Sequence, residues 1–160
     1  MDVMRENVQA PPLEVSDWLN TKDDLSLSAL KGKVVVIHAF QIFCPACVCH
    51  ATPQAKKIHE QFKGQPLQLI GLHTVFEHHD VMNKAALETF IHEYGISFPV
   101  AIDKPSKKNS LPMTMKKYQL RGTPSLLAID QYGKLVINHF GQISDMQIGQ
   151  ILGHLLADID

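Results

Sequence analysis

Apolar and polar positions along the chain follow two alternating rhythms. KGKVVVIHAF (31 to 40) is a continuous run rich in β-branched residues, which predicts a strand covered on both faces. PLQLIGLHTV (66 to 75) and FPVAID (98 to 103) predict two further strands. After the first strand, Cys47, Ala51, Ala55, Ile58 and Phe62 recur at helical spacing. Pro45 stands where a first helical turn tolerates proline, and Gly64 closes the helix. DVMNKAALETFIHEYG (80 to 95) places Ala85, Leu87, Phe90, Ile91 and Tyr94 on one helical face, ended by Gly95. The polar stretch KPSKKNSL (104 to 111) predicts a loop leading to a short helix near Met113 to Tyr118. SLLAID and LVINHF, joined by a glycine-containing turn, predict an antiparallel hairpin. The last segment, SDMQIGQILGHLLADI, opens with Ser144 and Gln147 in capping-box spacing and continues as an amphipathic helix. Together these predict an α/β fold: a mixed central sheet with helices on both faces, ending in a β-hairpin plus helix. The reactive region of such a sheet lies beyond the carboxyl ends of its strands, where Cys44 is placed.

Length and charge narrow the picture. A chain of 160 residues fits one core, so residues 13 to 160 are expected to form a single domain, preceded by a flexible arm over 1 to 12 that ends in Pro11-Pro12. A hydrophobic fraction of 45%, a charged fraction of 19% and a net charge of -1 leave no electrostatic footprint for nucleic acid. Small molecules or other proteins are the expected partners, and a monomer the expected state. No apolar run reaches the roughly 18 residues of a membrane span, and MDVMRENVQA lacks a basic start followed by an apolar stretch. The expectation is a cytoplasmic protein if the sequence is complete, and a periplasmic or extracytoplasmic one if a leader has been trimmed.

The chemistry concentrates in FQIFCPACVCHATP (40 to 53), which holds all three cysteines. Such clustering is unlike a disulfide framework, which spreads paired cysteines across the chain. Two residues between Cys44 and Cys47 let the chain wrap one helical turn, so the sulfurs can meet in a disulfide. Cys44, at the helix N-terminus, has the amides and dipole that favour a thiolate and is expected to attack; Cys47, one turn inside, is expected to resolve the mixed disulfide. Cys49 lies about 200° around an ideal helix from Cys47 and is expected to be a buried, inert thiol. Cys44, Cys47, Cys49 and His50 are four donors in seven residues, which cannot converge tetrahedrally on zinc without unwinding the helix. No metal or cofactor is expected.

These residues also carry a resemblance. DWLNTKDDLSLSALKGKVVVIHAFQIFCPAC, LQLIGLHTVFE, YGISFPVAID and YQLRGTPSLLAIDQYGKLV resemble the TlpA-like branch of the thioredoxin superfamily, over nearly the whole chain from about residue 13. The resemblance implies a thioredoxin-like fold and a thiol-disulfide oxidoreductase, or redoxin, acting on protein thiols and disulfides and recycled by a redox partner. It implies that Thr123 and Pro124 form the cis-proline loop that faces the CxxC and clamps the substrate backbone. Three departures stand out. Phe43 replaces the usual tryptophan before the first cysteine. His38 takes the place of a buried acidic or polar residue on the preceding strand, which implies a proton-transfer role for it. Pro53 falls one residue later after the CxxC than the family pattern, which predicts a bulge in the helix and leaves His50 as the nearest counterpart of a glutamate common there.

Two other chemistries share this fold. A peroxiredoxin-like thiol peroxidase places a Thr or Ser three residues before its cysteine and adds an arginine; here that position is Gln41, and Arg121 precedes the Thr-Pro loop. A Sco-like copper protein uses a cysteine pair and a distant histidine, for which His73, His78, His79 and His92 are the candidates. Otherwise these histidines belong to a solvated strand end and helix face.

Overall fold

The computed structural model describes residues 5 to 159. Seven strands form one mixed sheet, in the order β1-β7-β6-β3-β4-β5-β2. They are β1 (Arg5–Gln9), β2 (Val15–Leu19), β3 (Val34–Phe40), β4 (Leu67–His73), β5 (Val100–Asp103), β6 (Ser125–Ile129) and β7 (Lys134–Phe140). The helices are α1 (Thr52–Gln61), α2 (Lys84–Glu93), α3 (Met113–Lys117) and α4 (Asp145–Ala157), with a π-helical turn, Cys47–Ala51, running into α1. β3, β4 and β5 are parallel; β6 and β7 are the expected hairpin, and β6 lies antiparallel to β3.

Strand β3 is fully buried because both its faces carry a core. Val34, Val36 and Phe40 point into one, beneath α1, α2 and α4; Val35, Ile37 and Ala39 point into the other, against Met115 and Tyr118 of the α3 region. Period-two alternation puts His38 on the Val36 and Phe40 face, under the first helix. Gly71 of β4 is glycine for a steric reason: a Cβ there would lie 3.0 Å from Phe98 Cε1 and 3.3 Å from Phe40 Cε1.

The flexible arm expected over residues 1 to 12 is corrected in part. Arg5–Gln9 pairs antiparallel with β7 and forms one edge of the sheet, while residues 1 to 4 lie outside the described residues. The sequence RENVQ has no apolar alternation because an outer strand draws its stability from backbone pairing. The second helix is shorter than its pattern suggested, because the Asn83 side chain accepts a hydrogen bond from the Ala86 N–H and starts it there. At α4 the capping box of Ser144 and Gln147 is present.

Candidate active site

β3 ends at Phe40, and the next four residues form the turn that presents Cys44. Its backbone N–H donates to Gln41 O at 3.2 Å, and its carbonyl accepts from Val48 N–H at 3.0 Å, so Cys44 stands at the mouth of the helix with Pro45 in the first turn. The Cys47 N–H donates to Cys44 Sγ at 3.3 Å, and the Cys44 thiol reaches Thr123 O at 3.7 Å. The Thr123–Pro124 peptide bond is cis. Cysteine, helix and proline loop thus meet at the ends of β3 and β6. Cys44 is half-buried and Cys47 is fully buried; both are free thiols. Burial pushes the Cys47 thiol up to about 12, helped by its contact with Cys44 and opposed by hydrogen bonds to the Gln41 backbone and the Thr123 side chain.

Gln41 ties the two halves of this site together. It is 1% exposed; its Nε2 reaches Thr123 Oγ1 at 3.3 Å, and its Oε1 accepts from Phe76 N–H at 3.2 Å. Its capacity to link three loops depends on contacts between segments far apart in the chain, which no local sequence signal marks. Arg121 lies over the ring of Phe140, 5.6 Å from its centroid, and not at the sulfurs.

The bulge predicted from the position of Pro53 is the π-helical turn Cys47–Ala51, in which the Thr52 N–H donates to Cys47 O, five residues back. This wide turn absorbs the extra residue and brings Thr52, itself buried, beneath the sheet. His38 Nε2 lies 3.0 Å from Thr52 Oγ1, and the imidazole stacks on Phe40 at 4.7 Å between centroids. Burial holds His38 down to about 3, so the ring is neutral. The expectation for Cys49 is overturned: it is exposed, because it lies on the opposite side of the helical turn from the buried Cys47. Cys49 and His50 border a cleft of about 490 Å³ that also touches Pro124 and reaches down to His38.

His73 is a second correction. The expected solvated strand end is 2% exposed, and its Nε2 accepts from Ile42 N–H at 3.3 Å, two residues before Cys44. The close of β4 lies beneath the cysteine loop, so the last residue of that strand is covered. His78, His79 and His92 are exposed, and no three His, Cys, Asp or Glu side chains converge as metal donors among the described residues.

A half-buried thiol at a helix mouth, a buried second thiol and a cis-proline loop within reach define this chain, on this sheet, as a thioredoxin-like protein of the TlpA-like redoxin branch. The Redoxin family model matches residues 5 to 150, and the chain belongs to the Redoxin family. Two solved structures resemble it throughout. A thiol-disulfide isomerase from Corynebacterium glutamicum is 50% identical, with a TM-score of 0.89, over 93% of this chain and 97% of that one. A thioredoxin-like superfamily protein is 46% identical, with a TM-score of 0.92, over 94% and 97% of the two chains. The thiol-disulfide oxidoreductase ResA of Halalkalibacterium halodurans is 24% identical over 132 residues, 81% of this chain and 66% of that relative's length. ResA of Bacillus thuringiensis strain Al Hakam is 28% identical over 145 residues, 91% and 75% of the two. Among the described residues no helix is long and apolar enough to cross a membrane.

Proposed function

We propose that the protein exchanges disulfides with protein substrates through Cys44 and Cys47. The observation that carries this reading is the hydrogen bond from Cys47 N–H to Cys44 Sγ at 3.3 Å, beside the cis Thr123–Pro124 loop. Cys44 attacks a substrate disulfide, expelling one substrate sulfur as thiolate and forming a mixed disulfide. Cys47 then gives up its proton and attacks Cys44 Sγ, releasing the second substrate thiolate and leaving the Cys44–Cys47 disulfide. Run backwards, the same steps oxidise a substrate dithiol. The exposed ring of Phe43 offers an apolar contact beside the attacking sulfur, and the Thr123–Pro124 loop lies where an extended substrate segment would run. Held down to about 3, His38 is too weak a base to take the Cys47 proton, which goes to solvent; in this scheme it is a positioning residue acting through Thr52, whose N–H holds Cys47 O.

The buried, high-pKa Cys47 resolves slowly, which gives a substrate thiol time to attack the mixed disulfide first. Rearrangement of substrate disulfides is therefore favoured over their net reduction, in keeping with the isomerase name of the Corynebacterium relative. The experiment is turnover on a scrambled disulfide-bonded protein beside plain reduction of a protein disulfide. Cys44→Ser should abolish both, and Cys47→Ser should trap a mixed disulfide visible by mass. Full activity of Cys44→Ser would overturn the assignment. A His38→Leu variant whose Cys47 step keeps its wild-type rate and pH profile would remove the histidine from the scheme.

A further inference from the structure

The Gln41 side chain stands where three segments meet, and its amide is held in one orientation. A backbone N–H can only donate, so the atom that meets Phe76 N–H at 3.2 Å is the carbonyl oxygen Oε1, and the nitrogen Nε2 faces the other way. Nε2 donates to Thr123 Oγ1 at 3.3 Å and to Glu77 Oε1 at 3.5 Å. Oxygen and nitrogen are both engaged on a buried side chain, which leaves the amide no second way round.

That orientation decides what the Thr123 hydroxyl does. A hydroxyl has one hydrogen to give and accepts through its lone pairs. The Thr123 oxygen already accepts from Gln41, so its single hydrogen is left to donate, and its side chain is hydrogen-bonded to Cys47. The Gln41 backbone makes a second hydrogen bond to the same sulfur, and both favour the thiolate against the burial that opposes it. The carbonyl of the same threonine faces Cys44 Sγ at 3.7 Å, so one residue of the proline loop meets both thiols. A donor chain runs from Phe76 N–H through the Gln41 amide and the Thr123 hydroxyl to Cys47, and each bond polarises the next.

We propose that Gln41 is a positioning residue for the resolving step: its Nε2 aims the Thr123 hydroxyl at Cys47, and that hydroxyl steadies the negative charge on the Cys47 sulfur during the exchange. The inference rests on the reading of Cys44 and Cys47 as the exchanging pair. In the resolving step the Cys47 thiolate bonds to Cys44 Sγ, and the substrate sulfur leaves with the electron pair of the broken S–S bond; in reverse, Cys47 leaves as the thiolate. Cys47 is charged only between its thiol and its disulfide, so Gln41 governs the rate in both directions and leaves the dithiol-disulfide equilibrium at neutral pH where it is. Loss of a hydrogen bond to a charged group lowers the thiolate population about tenfold. The greater nucleophilicity of the more basic sulfur offsets part of this, and a slowing of about threefold remains.

The test uses the full chain carrying Cys49→Ser, which leaves Cys44 and Cys47 as its thiols. Cys44 is loaded with an aromatic disulfide reagent, and the second coloured thiolate, released by Cys47, is timed by stopped-flow absorbance at neutral pH. Gln41→Met should slow this release about threefold and Thr123→Val at least as much, whereas Thr123→Ser should keep the rate of the parent. Gln41→Met should add nothing in a Thr123→Val background, because the hydroxyl it acts through is gone. The dithiol-disulfide equilibrium against dithiothreitol should be the same in the parent and in Gln41→Met. If Gln41→Met does not fold, Thr123→Val against Thr123→Ser, at a half-buried position, decides the matter. An unslowed release in folded Gln41→Met or in Thr123→Val, a Gln41→Met effect that survives in Thr123→Val, or a shifted equilibrium would each overturn the inference and leave disulfide exchange standing. Absence of the second release in the parent would overturn the exchange reading and this inference with it.

Discussion

Loading Cys44 with an aromatic disulfide reagent isolates the step that burial of Cys47 controls. In a Cys49→Ser background, which removes the exposed third thiol, attack by Cys44 releases one coloured thiolate and attack by Cys47 on the resulting mixed disulfide releases a second, so the two phases report the two thiols separately. Burial is the largest cause that raises Cys47 from 9.0 to about 12, and it persists when Cys44 is blocked, although the contribution from Cys44 itself disappears. With Cys44 blocked the rise is less than the full step from 9.0 to about 12, so the thiolate population at neutral pH is at most about a thousandfold smaller. The more basic sulfur is the better nucleophile, and with a Brønsted coefficient of about 0.4 to 0.5 the net slowing is at most about 30- to 60-fold against an ordinary thiol in the same geometry. The second phase should also accelerate about tenfold per pH unit from pH 7 to beyond pH 10, because the thiolate fraction keeps rising until the pKa is passed. Stopped-flow absorbance at a series of pH values reads both quantities. A second phase that levels off near pH 9, or that matches an unhindered thiol in rate, would refute the argument.

Three further outcomes follow from the core. His38 and His73 stay neutral in the folded chain down to about 3 and about 4, whereas the unfolded chain protonates both near 6.5. Their contribution to stability is therefore complete above pH 6.5 and lost as pH falls towards 3, at up to about 2.7 kcal/mol per pH unit while both titrate; urea unfolding between pH 7 and pH 4 measures it, and a stability independent of pH there would contradict it. Gly71→Ala should cost about 1 to 3 kcal/mol, because the added Cβ meets the buried Phe98 and Phe40 rings at 3.0 and 3.3 Å; an unchanged melting temperature would show that the rings can yield. Thr52→Val, close in shape, should leave the melting temperature within a few degrees while altering the pH profile of the Cys47 step, and Thr52→Ser should restore it; a profile unmoved by Thr52→Val would leave Thr52 a packing residue.

Much of this architecture was legible in the sequence because it rests on local rules. The apolar run of β3, the turn between β6 and β7 and the Ser144 cap each declare themselves within a few residues. The π turn was legible too, through the misplaced Pro53, since a helix with a fixed start and a displaced proline must take up a residue between them. The exposure of Cys49 was legible as well, in its separation of about 200° from the buried Cys47, but the general tendency of free cysteine to be buried pointed the other way. Burial of His73 and the linking role of Gln41 depend on which loops the sheet brings together, and β1 has no apolar pattern at all.

The two ends of the strand order carry a consequence for synthesis. Both outermost strands come from the first nineteen residues, yet β1 pairs with β7 through Arg5 and Ile137, and β2 pairs with β5 through Val15 and Asp103. On a ribosome these segments emerge before their partners, which are made about one hundred and thirty residues later for β1 and about ninety for β2. Until then the nascent central sheet presents open edges on both sides, the template for pairing with neighbouring chains. The polar character of RENVQ keeps the waiting segment soluble, and its late docking closes the sheet against such association.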